Sequence, residues 1–346
     1  MSIITIDLMH TGEGHVLAED IYNSHGALLV AAYTTLNRYI IDRFHEFGIQ
    51  SLRVFDPEAL SEERRALKSF EKQYRNKVLE TKELIREVIF SRKLDNSRLD
   101  RLAGWIESEV RENRYIIGCL SAIRKFDEYT YCHSLNVAYY SSLAGRWMNL
   151  SPSDMDNIIK AGLLHDIGKI RVPREILNKK GRLLPEEYEA IKKHSIYGFN
   201  MLEGATKLHD SVKKAVLMHH EREDGSGYPM GHSGEDIQLG AKIIAVADVY
   251  DAMTSERVYG KKHTPFEAFE MFMTDGMEQF DREVAATFIE RIIPCYVGAK
   301  AVLNTKETGE VVYIPNHSIT RPVVRLENGY IDLNSSKEYE ITSVYF

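Results

Sequence analysis

Hydrophobic and polar positions fall into four textures along the chain. Up to residue 56 the apolar runs are short. His15–Ile21 and Ala27–Tyr33 read as strands around a turn at Asn23–Gly26. Leu36, Tyr39, Ile40 and Phe44 recur at helical steps, and Ser51–Phe55 reads as another strand. From Pro57 to about Ile117, Leu60, Leu67, Phe70, Tyr74, Val78, Leu84 and Val88 recur at helical steps, with Glu and Lys/Arg alternating between them. That is the pattern of helices with solvated faces, and its plain reading is a connecting or dimerising helix. Residues 118–296 read as amphipathic helices joined by short loops. After Gly298 the texture becomes strand-like at Val302–Leu303, Glu310–Ile314, Val323–Leu326 and Tyr330–Leu333, with Asn328–Gly329 as a hairpin signal. The expectation is a mainly α protein divided as 1–56 (small α+β domain), 57–117 (charged helical connector), 118–296 (helical bundle) and 297–346 (small β appendage).

Composition narrows this picture. With 346 residues, 44% hydrophobic and 27% charged, the chain has material for at least one large core and is not disordered throughout. The net charge of −7 argues against binding long nucleic acid, which needs clustered cations. It leaves room for a small anion held by a few local cations or a metal. The three cysteines, Cys119, Cys132 and Cys295, have no C-x-x-C spacing, which argues against a disulfide framework or structural zinc and suits a reducing cytoplasm. The start lacks a secretory n-region, and no run approaches 18 apolar residues, so no transmembrane span is expected.

Candidate chemistry begins with Ala241–Thr254. Ala241, Ile244, Ala245, Asp248 and Ala252 share one helical stripe, which puts a carboxylate among apolar side chains. Such a group needs a cation, either a basic side chain or a metal ion. His165 and Asp166 close another apolar run, Met155, Ile158, Ile159, Gly162 and Leu163, that starts with Ser151 and Pro152 as a good helix beginning. Lys169 lies one turn after Asp166, and Gly168 leaves room for close approach. His133 opens a run with Val137, Ser141, Ala144 and Met148 below it. His194 shares a face with Tyr188, Ile191, Gly198 and Met201, and His219–His220 follow the face of Val212, Ala215 and Val216. Taken singly, each histidine reads more readily as an ordinary hydrogen-bonded residue.

The spacing says more. The steps are 32 residues from His133 to His165, 29 to His194, 25 to His219, and 28 from His220 to Asp248. A helix of about 11 residues, a turn, a returning helix and another turn come to about 28 residues. Each step can therefore return the chain to the same end of a bundle. Seven nitrogen and oxygen donors without thiolate are too many for one tetrahedral zinc and suit two cations bridged by Asp166 and a water. Between His220 and Asp248, Gly225, Gly227 and Pro229 make a tight loop that presents Tyr228.

These residues resemble a known family. His165-Asp166-Ile167-Gly168-Lys169 and the eleven positions from His219 to Pro229 look like the two motifs of the HD-GYP domain, and the likeness runs from about Ile123 to Ile293. The start (Gly12–Ile21) and the end (Gly309 and Thr320–Val324) are similar to units that flank this domain. The resemblance implies a metal-dependent phosphodiesterase that opens cyclic di-GMP to linear pGpG, with or without a further cut to GMP. It implies His133, His165, Asp166, His194, His219, His220 and Asp248 as ligands of two divalent ions, iron or manganese ahead of zinc, magnesium or nickel. It implies Lys169 as the cation at the scissile phosphate and Arg257 as a phosphate clamp. Tyr228 would be the guanine contact, and a metal-bridging hydroxide the nucleophile.

Two departures stand out. Some members have a carboxylate four residues before the first histidine, which holds a third metal. Here that position is Tyr129, with Glu128 and Asp127 further back, so two metals are expected. After Arg257 the chain has Val258, Tyr259 and Gly260 where Pro, Tyr and a second basic residue are usual, which puts substrate choice in question; Lys261 or Lys262 are substitutes for that charge. The alternatives are a weak or inactive domain that binds a cyclic dinucleotide or a protein, and a phosphodiesterase for another cyclic dinucleotide. A homodimer through the N-terminal or connector helices is a further expectation.

Overall fold

The computed structural model describes residues 3–346 apart from 24–27, 31–33, 35, 92, 114, 124–128, 180, 206, 256–262 and 316–317; the side chains of 28, 57–66, 91 and 129 also lie outside the description. The chain divides into two compact units, Met1–Phe70 and Glu71–Phe346.

In the first unit the order is β1 (Ile3–Asp7), β2 (Val16–Leu17), β3 (Ile21–Tyr22), β4 (Leu28–Val30), α1 (Arg38–Glu46) and β5 (Ser51–Phe55). β5 is the central strand of an antiparallel sheet, with β1 on one side and β2 on the other. Leu52 and Val54 of β5 point into a core with Leu8, Leu17, Leu36, Ile41 and Phe44, while Ser51 and Arg53 face outward. α1 starts at Asn37, whose side chain accepts the Ile40 N–H at 3.0 Å. The strand expected over His15–Ile21 is broken. Val16–Leu17 pairs with β5, and Ile21–Tyr22 pairs with β4 instead. Between them lie Glu19 and Asp20, poor strand formers, and Glu19 is engaged by Arg53 at 2.9 Å.

α2 (Pro57–Ser91) is a single 35-residue helix that buries Phe70, Tyr74, Val78, Leu84 and Val88 of the stripe read from the sequence; Leu67 is half-buried, and the Leu60 side chain lies outside the description. Then come α3 (Asn96–Glu112), α4 (Ile116–Ala122), α5 (Tyr129–Trp147), α6 (Pro152–Leu164), α7 (Arg174–Leu177), α8 (Pro185–Lys192), α9 (His194–Leu202), α10 (Asp210–Met218), α11 (Leu239–Thr254), α12 (Pro265–Met273) and α13 (Arg282–Ile292). A five-stranded antiparallel sheet closes the chain, β6 (Lys300–Leu303), β7 (Thr308–Tyr313), β8 (Val323–Leu326), β9 (Gly329–Asp332) and β10 (Ile341–Tyr345), in the order β10-β6-β7-β8-β9. β10 was not foreseen; it pairs with β6 across some forty residues of sequence. The hairpin is present with Glu327 and Asn328 in the loop, since Leu326 pairs with Gly329.

α5 and α11 occupy the middle of the bundle. The run from His133 reads as amphipathic, yet Leu135, Val137, Ala138, Tyr139, Tyr140, Leu143 and Ala144 are all buried, so α5 is enclosed on every side by α3, α6, α11 and α13. The run through His194 is likewise two helices, since α8 ends before Lys193 and α9 starts at His194. α6 begins as expected, with Ser151 Oγ accepting the Asp154 N–H at 3.2 Å. It crosses α5 at Gly162, where a Cβ would lie 2.8 Å from Ala138 Cα. Mainly helical, with β structure at the two ends, is thus the observed class.

Replacing Gly162 by Val forces these two backbones apart. We expect a loss of about 3 kcal/mol, read from the urea midpoint at unchanged m-value.

Candidate metal centre

Five helices deliver the seven side chains. His133 lies in the second turn of α5, His165 caps α6 with Asp166 next, and His194 opens α9; His219 caps α10 with His220 next, and Asp248 is on α11.

A common local cause fixes three of the histidines. The last carbonyls of a helix have no partner within it. Nδ1 of His165 donates to Gly162 O, that of His219 to Val216 O, and that of His194 to Ile191 O, each at 2.8 Å. A carbonyl only accepts, so Nδ1 carries the proton and Nε2 is left with a lone pair. The Nε2 atoms of His194 and His219 face each other at 3.2 Å. Two lone pairs cannot bond to each other. His165 Nε2 and Asp166 Oδ1 are buried with no hydrogen-bond partner. Cations among these atoms would satisfy them, so the donor set fits divalent metal.

The ligand atoms form two groups. Those of Asp166, His194, His219 and His220 lie within 4.8 Å of one another, and so do those of His133, His165 and Asp248. Asp166 faces both groups. Its Oδ1 is 3.5 Å from His194 Nε2, and its Oδ2 is 3.3 Å from His165 Nε2 and 3.7 Å from His133 Nε2. One carboxylate with an oxygen on each side is the shape of a bridging ligand.

His133 is held differently. Its Nδ1 meets Asp251 Oδ2 at 2.7 Å, and its Nε2 faces Asp248 Oδ1 at 3.0 Å. Asp251, 1% exposed, also accepts from Asn136 Nδ2 and Ser255 Oγ, both at 2.9 Å. A carboxylate behind a ligating histidine fixes the ring and raises its basicity. Reasoning from sequence passed over Asp251 as an individual site residue. The available signal was a second carboxylate three residues after Asp248 in an otherwise apolar helix.

Electrostatics sort the donors. Burial opposes charge on Asp166, but its basic neighbours, Lys169 at 2.6 Å among them, outweigh it and hold the carboxyl well below the usual range. Burial likewise opposes charge on Asp248, and the His133 hydrogen bond prevails. Burial pushes His194, His219 and His220 down, so they are neutral and able to bind metal. Burial also works against charge on His133, yet its bonds to Asp248 and Asp251 raise it well above an ordinary imidazole.

Lys169 Nζ sits 2.6 Å from Asp166 Oδ2 and is about one-third exposed. Gly168 admits the backbone of α9, because a Cβ there would overlap the His194 carbonyl. In the loop, Glu221 is buried and accepts the N–H groups of Met230 at 2.8 Å and His232 at 3.0 Å. Gly227 lets the loop fold back, since a Cβ there would strike the Glu221 and Arg222 backbone. The Tyr228 ring stacks on His220, centroids 4.6 Å apart, and Lys192 Nζ lies 5.9 Å from the same ring. Tyr228 is thus half-buried against a ligand rather than held out from the loop. Arg257, Lys261, Lys262, Glu128 and Asp127 lie outside the described residues, as does the Tyr129 side chain.

A helical bundle whose helix ends converge histidines and aspartates on paired cation sites defines a class of metal-dependent domain, and the comparisons place it. Residues 121–284 match the HD domain family. Over these residues the chain matches an HD domain, and the His219–Pro229 loop resembles that of the HD-GYP type. An HD domain implies divalent-metal binding, and the two donor groups described above could hold such ions. The chain is 34% identical over 243 residues to the cyclic di-GMP phosphodiesterase PA4108 of Pseudomonas aeruginosa, covering 70% of this chain and 58% of that protein. It is 37% identical to a cyclic di-GMP phosphodiesterase of Thermotoga maritima, covering 51% of this chain and 47% of that protein. It is 33% identical to the 3′3′-cGAMP-specific phosphodiesterase 2 of Vibrio cholerae, covering 49% of this chain and 33% of that protein. The chain therefore spans less than two thirds of each of these relatives. Among solved structures, Bd1817, an HDG"Y"P protein of Bdellovibrio bacteriovorus, shares the fold, with a TM-score of 0.51, 14% identity, and coverage of 84% of this chain and 99% of that one. Among the described residues, no helix is long and apolar enough to cross a membrane.

A raised His133 pKa means that a proton occupies the ring at neutral pH and competes with a cation for Nε2. Affinity for Mn²⁺ should therefore rise with pH, by about tenfold per unit while one proton is displaced. Titrations in buffers of different ionisation enthalpy should show proton release; binding independent of pH would contradict this assignment.

Proposed function

We propose that the chain is a metal-dependent phosphodiesterase that hydrolyses cyclic di-GMP to linear pGpG. The observation that carries this reading is the paired donor set shared through Asp166, beside the Lys169 ammonium and an ordered loop. His133, His165 and Asp248 would hold one ion, His194, His219 and His220 the other, with Asp166 between them; iron or manganese suits this nitrogen and oxygen set. Two divalent ions in such a site supply charge against a phosphodiester and a water acidic enough to react near neutral pH.

The protein's own groups do the rest. Asp166 is ionised and offers one oxygen to each group of donors. Lys169 holds Asp166 Oδ2 at 2.6 Å and, on a flexible stem at the mouth of the site, is placed to turn to an incoming phosphate. Tyr228 and Lys192 form one wall, an aromatic face with a cation beside it, suited to a guanine base and its phosphate. Arg257 completes the proposal as a phosphate clamp through its guanidinium fork.

A second reading, another cyclic dinucleotide as substrate, is favoured by the relatives named as 3′3′-cGAMP-specific phosphodiesterases, at 33% and 40% identity.

Metal-replete full chain incubated with cyclic di-GMP and with 3′3′-cGAMP, and chromatographed, should give pGpG faster than the cGAMP product. Asp166→Ala should lower turnover by about a hundredfold or more and reduce bound metal. A variant that keeps both activity and metal would overturn the assignment. Equal or faster cleavage of 3′3′-cGAMP would replace the substrate.

A further inference from the structure

Behind His133 the hydrogen-bond chain continues beyond Asp251. Asn136, one turn after His133 on α5, donates from Nδ2 to Asp251 Oδ1 at 2.9 Å. Its other amide atom, Oδ1, accepts from the Tyr74 hydroxyl at 2.7 Å. The same hydroxyl lies 3.3 Å from the Cys132 carbonyl. Tyr74 is 2% exposed and belongs to α2, not to the helices that carry ligands. Each link in this chain has one permitted direction. A carboxylate accepts only, so Asn136 must present Nδ2 to Asp251 and Oδ1 to its other neighbour. An amide oxygen accepts only, so that neighbour must be a donor, and the tyrosine hydroxyl is one.

We propose that Tyr74 and Asn136 are positioning residues for the His133 half of the metal centre, which makes α2 part of the active site rather than a spacer. The inference rests on the reading above that His133 ligates a metal. The physical basis is satisfaction of buried polar groups. Without the Tyr74 hydroxyl, Asn136 Oδ1 is buried with a donor missing. The amide then gains by turning, which takes Nδ2 away from Asp251. Asp251 in turn sets the plane of the His133 ring through a 2.7 Å bond. The His194 half does not share this chain, because His194 and His219 are fixed by helix-end carbonyls. Loss of the hydroxyl should therefore weaken one cation site and spare the other. A stripe of apolar residues at helical spacing explains why Tyr74 is buried. It does not explain why the residue carries an oxygen there.

The test is calorimetric titration of the metal-free full chain with Mn²⁺, comparing the native protein, Tyr74→Phe and Val78→Ala. Val78→Ala removes buried methyl groups one turn along the same helix without touching the polar chain. Tyr74→Phe should weaken one of two binding events by about tenfold or more and leave the second unchanged. Its turnover of cyclic di-GMP should fall at limiting Mn²⁺ and recover in excess, which a folding defect would not do. Val78→Ala should keep both events. Two native-like events in Tyr74→Phe, or equal weakening in Val78→Ala, overturn the positioning role and leave the metal centre standing. Absence of two events in the native protein overturns the metal centre itself, and this inference with it.

Discussion

Half of the centre follows from how a helix ends. Its last carbonyls lack partners, and a histidine placed there can donate Nδ1–H to one of them. His165, His194 and His219 all do so at 2.8 Å. The bond satisfies the helix and commits the tautomer, so Nε2 lone pairs project beyond the helix ends. Three helix ends that meet then place three lone pairs beside two ionised aspartates among buried side chains. The arrangement is unfavourable by itself, as the facing nitrogens 3.2 Å apart show. It becomes favourable when positive charge enters.

Such a centre tolerates little play in the helices that carry it. Close backbone contacts set their spacing. Gly162 brings α6 onto α5 at Ala138, and Gly168 lets the segment after Asp166 rest on the start of α9. α5 and α11 are apolar around most of their surface, and their buried polar groups include the cluster at the site, His133, Asn136, Asp248 and Asp251. Burial of the remaining side chains offsets the cost of keeping these few polar groups out of water. Placement of the donors and stability of the bundle are thus one problem.

Much of this was legible in the sequence, for identifiable reasons. Asp248 stood out because a carboxylate on an apolar stripe demands a cation. The near-regular intervals between His133 and Asp248 signalled a return to one end of a bundle. Periodicity also located α2 and the buried face of α6. It failed where burial does not follow a period. α5 is enclosed on all sides, so its polar positions do not mark a solvent face. Asn136 and Tyr74 were ordinary members of helical runs, because what distinguishes them is a partner 62 residues away. β10 and the break at Glu19–Asp20 depend on pairings between distant segments, and local composition does not specify those.

The Glu221 carboxylate follows the His219–His220 pair directly and holds the N–H groups of Met230 and His232. Tyr228 N–H reaches the His220 carbonyl at 3.1 Å. The segment that would discriminate between nucleobases is therefore anchored to the same helix end that supplies two ligands. Any displacement of that helix end therefore moves the loop and the two histidine donors together.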